Sequence, residues 1–149
     1  MLGRDRLDTL YVVCAFAFQV ALIILFAVRR YSLNTIMRYG WIFYALSIPA
    51  AVVSVVLLQG GKDWGLWLGG FLFLAWAIFG FVVEYALKIT TWRDPIIWWV
   101  FIPFVLGYLA TNMFYWWPLA NISRPLWFVQ AALFGVSVVL NVTSHRPAQ

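Results

Sequence analysis

Chemically reactive side chains are what this sequence has least of. Only 10% of its 149 residues are charged, against about 25% in soluble domains, while 65% are hydrophobic. A soluble fold of this size cannot hide so much apolar surface, because small domains leave a large share of their area in water. Cys14 is the single cysteine, which excludes an intrachain disulfide and any cysteine-based zinc or iron–sulfur site. His145 is the single histidine, so one chain cannot build a bis-histidine haem, a histidine metal site or a histidine-dependent triad. Neither G-x-x-x-x-G-K-[ST] nor G-x-G-x-x-G occurs. Among the acids only Glu84 falls within a predicted span, which excludes paired-carboxylate chemistry. No metal site, no cofactor motif and no catalytic set is read here, and the chain is expected to be non-enzymatic.

The basic residues exceed the acidic ones, giving a net charge of +5. They are scattered in ones and twos between apolar stretches, without the basic stripe and interleaved aromatics that track a phosphate backbone, so nucleic acid is not expected as a partner. Short basic loops beside membrane spans account for them.

What is abundant is uninterrupted apolar sequence. Charge-free windows run 9–28, 39–61, 64–83, 95–123 and 125–145. About 20 helical residues, rising 1.5 Å each, cross a hydrocarbon core of roughly 30 Å. Barrel strands need only about 9–11 residues and alternate in polarity, so the windows read as helices. The sequence predicts an all-α membrane protein: one domain over 1–149, with five transmembrane helices at approximately 9–28, 39–60, 65–87, 96–117 and 125–142. The first window is too long for a signal h-region and is followed by Arg29 and Arg30, so it is read as a retained span. Gly60-Gly61-Lys62-Asp63, Arg93-Asp94-Pro95 and the stretch from Trp117-Pro118 to Pro125 mark breaks. Loops this short predict an antiparallel bundle.

Lys and Arg suggest an orientation. Arg29, Arg30, Arg38, Lys88, Arg93 and Arg146 lie on one side, and Arg4, Arg6, Lys62 and Arg124 on the other. The positive-inside rule then places the N-terminus outside and the C-terminus in the cytoplasm of a cell or inner membrane. Nine of the ten tryptophans fall near predicted span ends, as in an interfacial aromatic belt; Trp76 is the deep one.

Few residues remain as site candidates. An intramembrane carboxylate suggests function by default, and Glu84 is a candidate proton relay, cation site or ligand anchor. The preferred reading is structural: Lys88 follows at i+4, a favourable order for an ion pair near the interface. Gln19, midway along the first span, is expected to bond to another helix; Thr111, Asn112 and Gln130 could line a small polar vestibule or meet interfacial water, and the second is the preferred reading. Pro49 and Pro103 each free one carbonyl and invite a kink, one route to a cavity between helices. Trp76 with Phe73, Phe79 and Gly80 forms an aromatic patch suited to packing or to a flat apolar ligand. Gly65-x-x-x-Gly69 and Ala131-x-x-x-Gly135 mark faces for close helix packing, inside the bundle or against a partner.

With five spans, many tryptophans and about 150 residues, the chain resembles in gross architecture the translocator proteins that bind porphyrin and sterol, without a shared motif by which to transfer residues. The expected function is that of a non-catalytic integral membrane subunit, packed with membrane lipids and other membrane subunits and helping to hold lipids or pigments. The alternative is an intramembrane binding or transport protein for a small apolar molecule (quinone, sterol, tetrapyrrole or lipid), with Trp76, Phe73, Gln19, Glu84 and Pro103 as its candidate contacts. The orientation is testable in a Cys14→Ser background. Asn34→Cys should resist an impermeant thiol reagent in intact cells and Gly61→Cys should react; the reverse pattern would invert the topology.

Overall fold

The computed structural model describes residues 6–89 and 96–144, which contain helices and no strand. Arg4, Trp92, the Arg93-Asp94-Pro95 break, His145 and Arg146 lie outside the described residues. Five helical stretches are long and apolar enough to cross a membrane: Arg6–Tyr31, Trp41–Gln59, Trp64–Ala86, Trp98–Ile122 and Arg124–Ser144. They fall within a few residues of the expected spans.

Helix α1 is Arg6–Tyr31, with Asp8 in its first turn and Arg29 and Arg30 in its last, the arrangement that suits the helix dipole. The following segment, expected as a loop, is instead a short surface helix, α2 (Leu33–Tyr39), with no buried residue. Ser32 starts it by accepting from the Thr35 amide at 3.4 Å, the usual N-cap arrangement.

The second helical stretch is interrupted. Helix α3 (Trp41–Ala45) and helix α4 (Ser47–Gln59) meet at Leu46, one turn before Pro49. Proline has no N–H for the Ala45 carbonyl, so the discontinuity falls at the turn that lost its bond. Gly61, with φ of 67°, then reverses the chain in a backbone region that glycine enters without a steric penalty. Lys62 bonds to Asp8 at 2.8 Å, fastening this turn to the start of α1.

Helix α5 (Trp64–Phe81) is the central element and packs against both α4 and α6 (Trp98–Trp116). Adjacent glycines make this possible, because successive helical residues point about 100° apart. A Cβ on Gly69 would lie 3.4 Å from the Phe114 carbonyl and the Tyr115 ring of α6. One on Gly70 would overlap the Ser54 hydroxyl and the Ala50 carbonyl of α4. Gly65 faces Pro118 and Trp117. Gly65 and Gly69 therefore pack within the chain, and Gly70 is the tighter contact.

Helix α6 runs through Pro103 without the break seen before Pro49. A turn at Trp117-Pro118 leads to helix α7 (Leu119–Ile122), and extended Ser123 separates it from α8 (Arg124–Ser144). Trp116 stacks on Trp127 at 5.0 Å, closing this corner. Helix α8 packs on α1, while Gly135 points into open space and Ala131 is partly buried.

Gln19 is 1% exposed, and its Nε2 donates to Ser137 Oγ at 2.9 Å and to the Leu133 carbonyl at 3.4 Å. Gln130 donates to the Ala15 carbonyl at 3.3 Å and to Gln19 Oε1 at 3.4 Å. These bonds join α1 to α8, as expected for Gln19. Thr111, Asn112 and Gln130 correct the expectation of interfacial water: all three are buried. Thr111 and Asn112 satisfy their donors within α6, on the Gly107 and Tyr108 carbonyls at 2.8 Å each.

The glycine contacts yield a stability test. Forcing extra atoms into a packed interface costs about 1–3 kcal/mol. Gly70→Ala should lower stability by about 2 kcal/mol in denaturant titration of the detergent-solubilised protein. Gly135→Ala, which meets nothing, should leave stability unchanged or raise it by up to about 1 kcal/mol through helix propensity.

Candidate functional site

One end of the bundle, where α1 finishes and α6 begins, encloses a cavity of about 250 Å³ to which all five long helical stretches contribute. Its walls are aromatic: Phe26 from α1, Phe43 and Tyr44 from α3, Trp76 from α5, and Phe101, Phe104 and Tyr108 from α6. Arg29, Glu84 and Asn141 supply its polar groups.

Glu84 is placed here by a local departure from the α-helix. Residues Val82–Ala86 form a π turn continuing α5, and Leu87 donates to the Val82 carbonyl at 2.9 Å, five residues back. Single π turns recur at functional sites because the wider turn re-aims the side chains it carries. The partly buried Glu84 accepts from the Tyr44 hydroxyl at 2.6 Å on Oε2. Lys88 is exposed, with φ of 54°, so the helix has already ended at the position where an i+4 partner was expected. Among the described residues Lys88 forms no ion pair with Glu84, which corrects the expected pairing. The physical reason is the π turn, which breaks the 3.6-residue register that i+4 pairing needs.

Two glycines seat the phenols around this carboxylate. A Cβ on Gly80 would stand 2.8 Å from the Tyr44 ring and hydroxyl, so Tyr44 reaches Glu84 across the surface of α5 only because residue 80 lacks a side chain. A Cβ on Gly40 would lie 2.8 Å from the Tyr85 hydroxyl, which donates to the Ile36 carbonyl at 3.2 Å. On the other wall Arg29 donates from Nε to Ser144 Oγ at 2.9 Å and from Nη2 to both Ser144 and Asn141. Its guanidinium lies 4.9 Å from the Phe26 ring centroid, within cation–π range. Arg29 is thus held between α1 and α8, facing the cavity that Glu84 enters from α5.

Trp76 forms the inner wall. It is 5% exposed, and its ring lies 5.9 Å from Phe43, 5.4 Å from Phe104 and 5.9 Å from Tyr108. Gly107 admits it: a Cβ there would stand 2.6 Å from Trp76 Cδ1. The indole Nε1 has no partner among the described residues, and an unmet buried donor costs about 1–3 kcal/mol.

A second cavity, of about 220 Å³, lies between α1 and the α3–α4 break. Pro49, Leu46, Cys14, Phe18 and Phe73 help to line it, and its walls are almost wholly apolar. Phe43 stands against Phe18 and Phe73 at 6.3 and 5.4 Å, so the two cavities share an aromatic partition.

Of the five candidate contacts read from the sequence, Trp76 and Glu84 meet in the first cavity and Phe73 lines the second. Gln19 lines neither, being used between α1 and α8. Pro103 is exposed and also lines neither, although its neighbours Phe104 and Val105 do. Arg29, Tyr44, Tyr108 and Asn141 were missed because their partners lie far along the chain. Gly80 was noticed only as part of an aromatic patch.

The seating of Tyr44 can be measured by a double-mutant cycle. Gly80→Ala should cost about 1–3 kcal/mol in the wild-type background, and less than half of that in Tyr44→Ala. Equal costs in both backgrounds would show that Gly80 serves some contact other than Tyr44.

Comparison with protein-family models, with curated proteins and with solved structures returned no match.

Proposed function

We propose that this chain is an integral membrane protein that binds a small amphipathic molecule between its helices. In this reading the five long helical stretches cross the bilayer in alternating directions, with the N-terminus outside and the cavity end toward the cytoplasm. The observation that carries it is the first cavity: aromatic on its walls, with Glu84 and Arg29 both in its lining. A binding pocket combines apolar lining with a few placed polar groups, and that is the composition here. An acid and a base on apolar helices are costly to desolvate, so their convergence on one cavity favours a ligand role over chance.

Size narrows the ligand. At about 250 Å³ the cavity falls just below the roughly 300–1,000 Å³ of drug-sized pockets. That suits a one-ring head or a lipid headgroup. It does not suit a whole sterol or a tetrapyrrole macrocycle.

The subunit reading retains one specific support: Gly135 faces outward from α8 in open space, where another helix can approach closely. Gly65 and Gly69, used within the chain, no longer contribute to it. Gentle extraction from the native membrane, followed by mass spectrometry of small molecules and polypeptides, separates the two readings. Val105 lines the cavity and Leu106 is 60% exposed. Wild type and Leu106→Trp should carry the same small molecule, and Val105→Trp should lose it while remaining folded. Recovery of partner polypeptides alone, with no small molecule in any variant, would favour the subunit.

A further inference from the structure

The arrangement of polar groups in the first cavity identifies a chemical class of ligand, on the premise that the cavity binds a small molecule as proposed above. Three observations combine.

The first is charge. Among the described residues lining the cavity, Arg29 is the one formal cation and Glu84 the one formal anion. The formal charges of this described lining sum to zero. A lipophilic cation is drawn to Glu84 and the aromatic rings but repelled by Arg29, and an anion meets the opposite conflict. A neutral head with its own dipole meets neither.

The second is the state of the carboxylate. Tyr44 donates to Oε2 of Glu84, and no described residue donates to Oε1. A carboxylate has about four lone-pair sites, and it is acceptor-only when ionised. What Glu84 still lacks is therefore a donor, and the matching ligand group is an O–H or N–H.

The third is shape. Phe43, Phe104 and Tyr108 each stand within 6 Å of the Trp76 ring on the cavity wall, and rings prefer offset or edge-to-face partners at about 4.5–7 Å. A flat ring satisfies that geometry better than a branched polyol or a phosphate headgroup.

We propose that the cavity recognises a neutral phenolic ring of the hydroquinone class, with a ring hydroxyl donating to Glu84 Oε1 and the ring face packed against Trp76 and Phe104. Tyr44 is a positioning residue that fixes the carboxylate. Binding alone is assigned, with no electron transfer. The corresponding quinone has the same ring and shape but only acceptor oxygens, so the site distinguishes the two by one donor.

The test uses full-length protein in nanodiscs and quenching of tryptophan fluorescence by four probes: a short-chain benzohydroquinone, its benzoquinone, its dimethyl ether and tetraphenylphosphonium. Bonds to charged groups exceed neutral ones by roughly 1.4 kcal/mol, about tenfold in affinity. The hydroquinone should bind wild type at least about tenfold more tightly than the quinone or the ether. Glu84→Gln, whose amide both donates and accepts, should erase most of that preference by weakening hydroquinone and strengthening quinone. Tyr44→Phe should reduce the preference without abolishing binding. A folded Glu84→Gln protein, checked by its thermal melt, that keeps the full preference would overturn the role of Glu84. Equal affinity of wild type for hydroquinone and ether would overturn donor recognition and leave the binding reading intact. Tightest binding of tetraphenylphosphonium would overturn the neutral-head assignment. If none of the four binds, but an extract carries another small molecule that Val105→Trp loses, the ligand class alone falls. If no small molecule binds by either measure, the binding reading falls with it.

Discussion

A glutamate on an apolar helix needs a donor close at hand, and the hydrogen bond from Tyr44 to Glu84 meets that need here. Much of the cavity end follows from it. Tyr44 sits on α3, so that short helix must lie against the end of α5. It reaches Glu84 past residue 80, so residue 80 must be glycine. The carboxylate must turn toward Tyr44, and the π turn at Val82–Ala86 provides that rotation. The widened turn in turn ends the helix early, leaving Lys88 exposed in a left-handed conformation. One polar contact thus accounts for a glycine, an irregular turn and a left-handed residue that sequence periodicity leaves unexplained.

The same logic operates elsewhere in the bundle in weaker form. Val, Ile, Leu and Trp dominate the outer face, while Gln19, Gln130, Ser137, Thr111 and Asn112 are buried. Thr111 and Asn112 turn back on their own helix, whereas Gln19, Gln130 and Ser137 bond across helices and specify a neighbour. Gln19 and Gln130 select α1 against α8. The aromatic partition of Phe18, Phe43 and Phe73 joins α1, α3 and α5 with no polar atom. Apolar packing supplies most of the contact, and the amides fix which faces meet.

The helical stretches were legible because their signal is local and redundant: a charge or a Gly-Gly turn interrupts each apolar run. Gln19 was legible for a similar reason, since a central amide must find another helix whatever the details. Gly70 was not, because the Gly65-x-x-x-Gly69 spacing drew attention to one face of α5. The closest approach uses the residue beside it, about 100° around the axis, and sequence alone does not say which neighbour comes nearer. Glu84 was misassigned for a sharper reason. The Lys88 pairing assumes continuous α-geometry, and nothing in Val-Val-Glu-Tyr-Ala announces a π turn. Its true partner lies 40 residues away and is an uncharged phenol.

Pro49 and Pro103 show how context decides what a helix-breaking residue does. Both remove one backbone bond, yet only the first coincides with an interruption of its helix. Pro49 lies where α4 packs tightly on Gly70 and where the second cavity opens beside α1. Ser47 also donates to the Tyr44 carbonyl at 2.6 Å, giving the interrupted backbone a local alternative to the helical bond. Pro103 sits in the second turn of α6 on an exposed face, with no comparable competitor nearby in sequence. On either side of the interruption α3 and α4 both pack on α5. Helix α4 meets α5 at Gly70, and α3 meets it at Gly80 with Phe43 and Tyr44 lining the cavity. Phe43 of the aromatic partition and Tyr44, the donor to Glu84, are thus neighbours on the same short helix, just ahead of the interruption at Leu46.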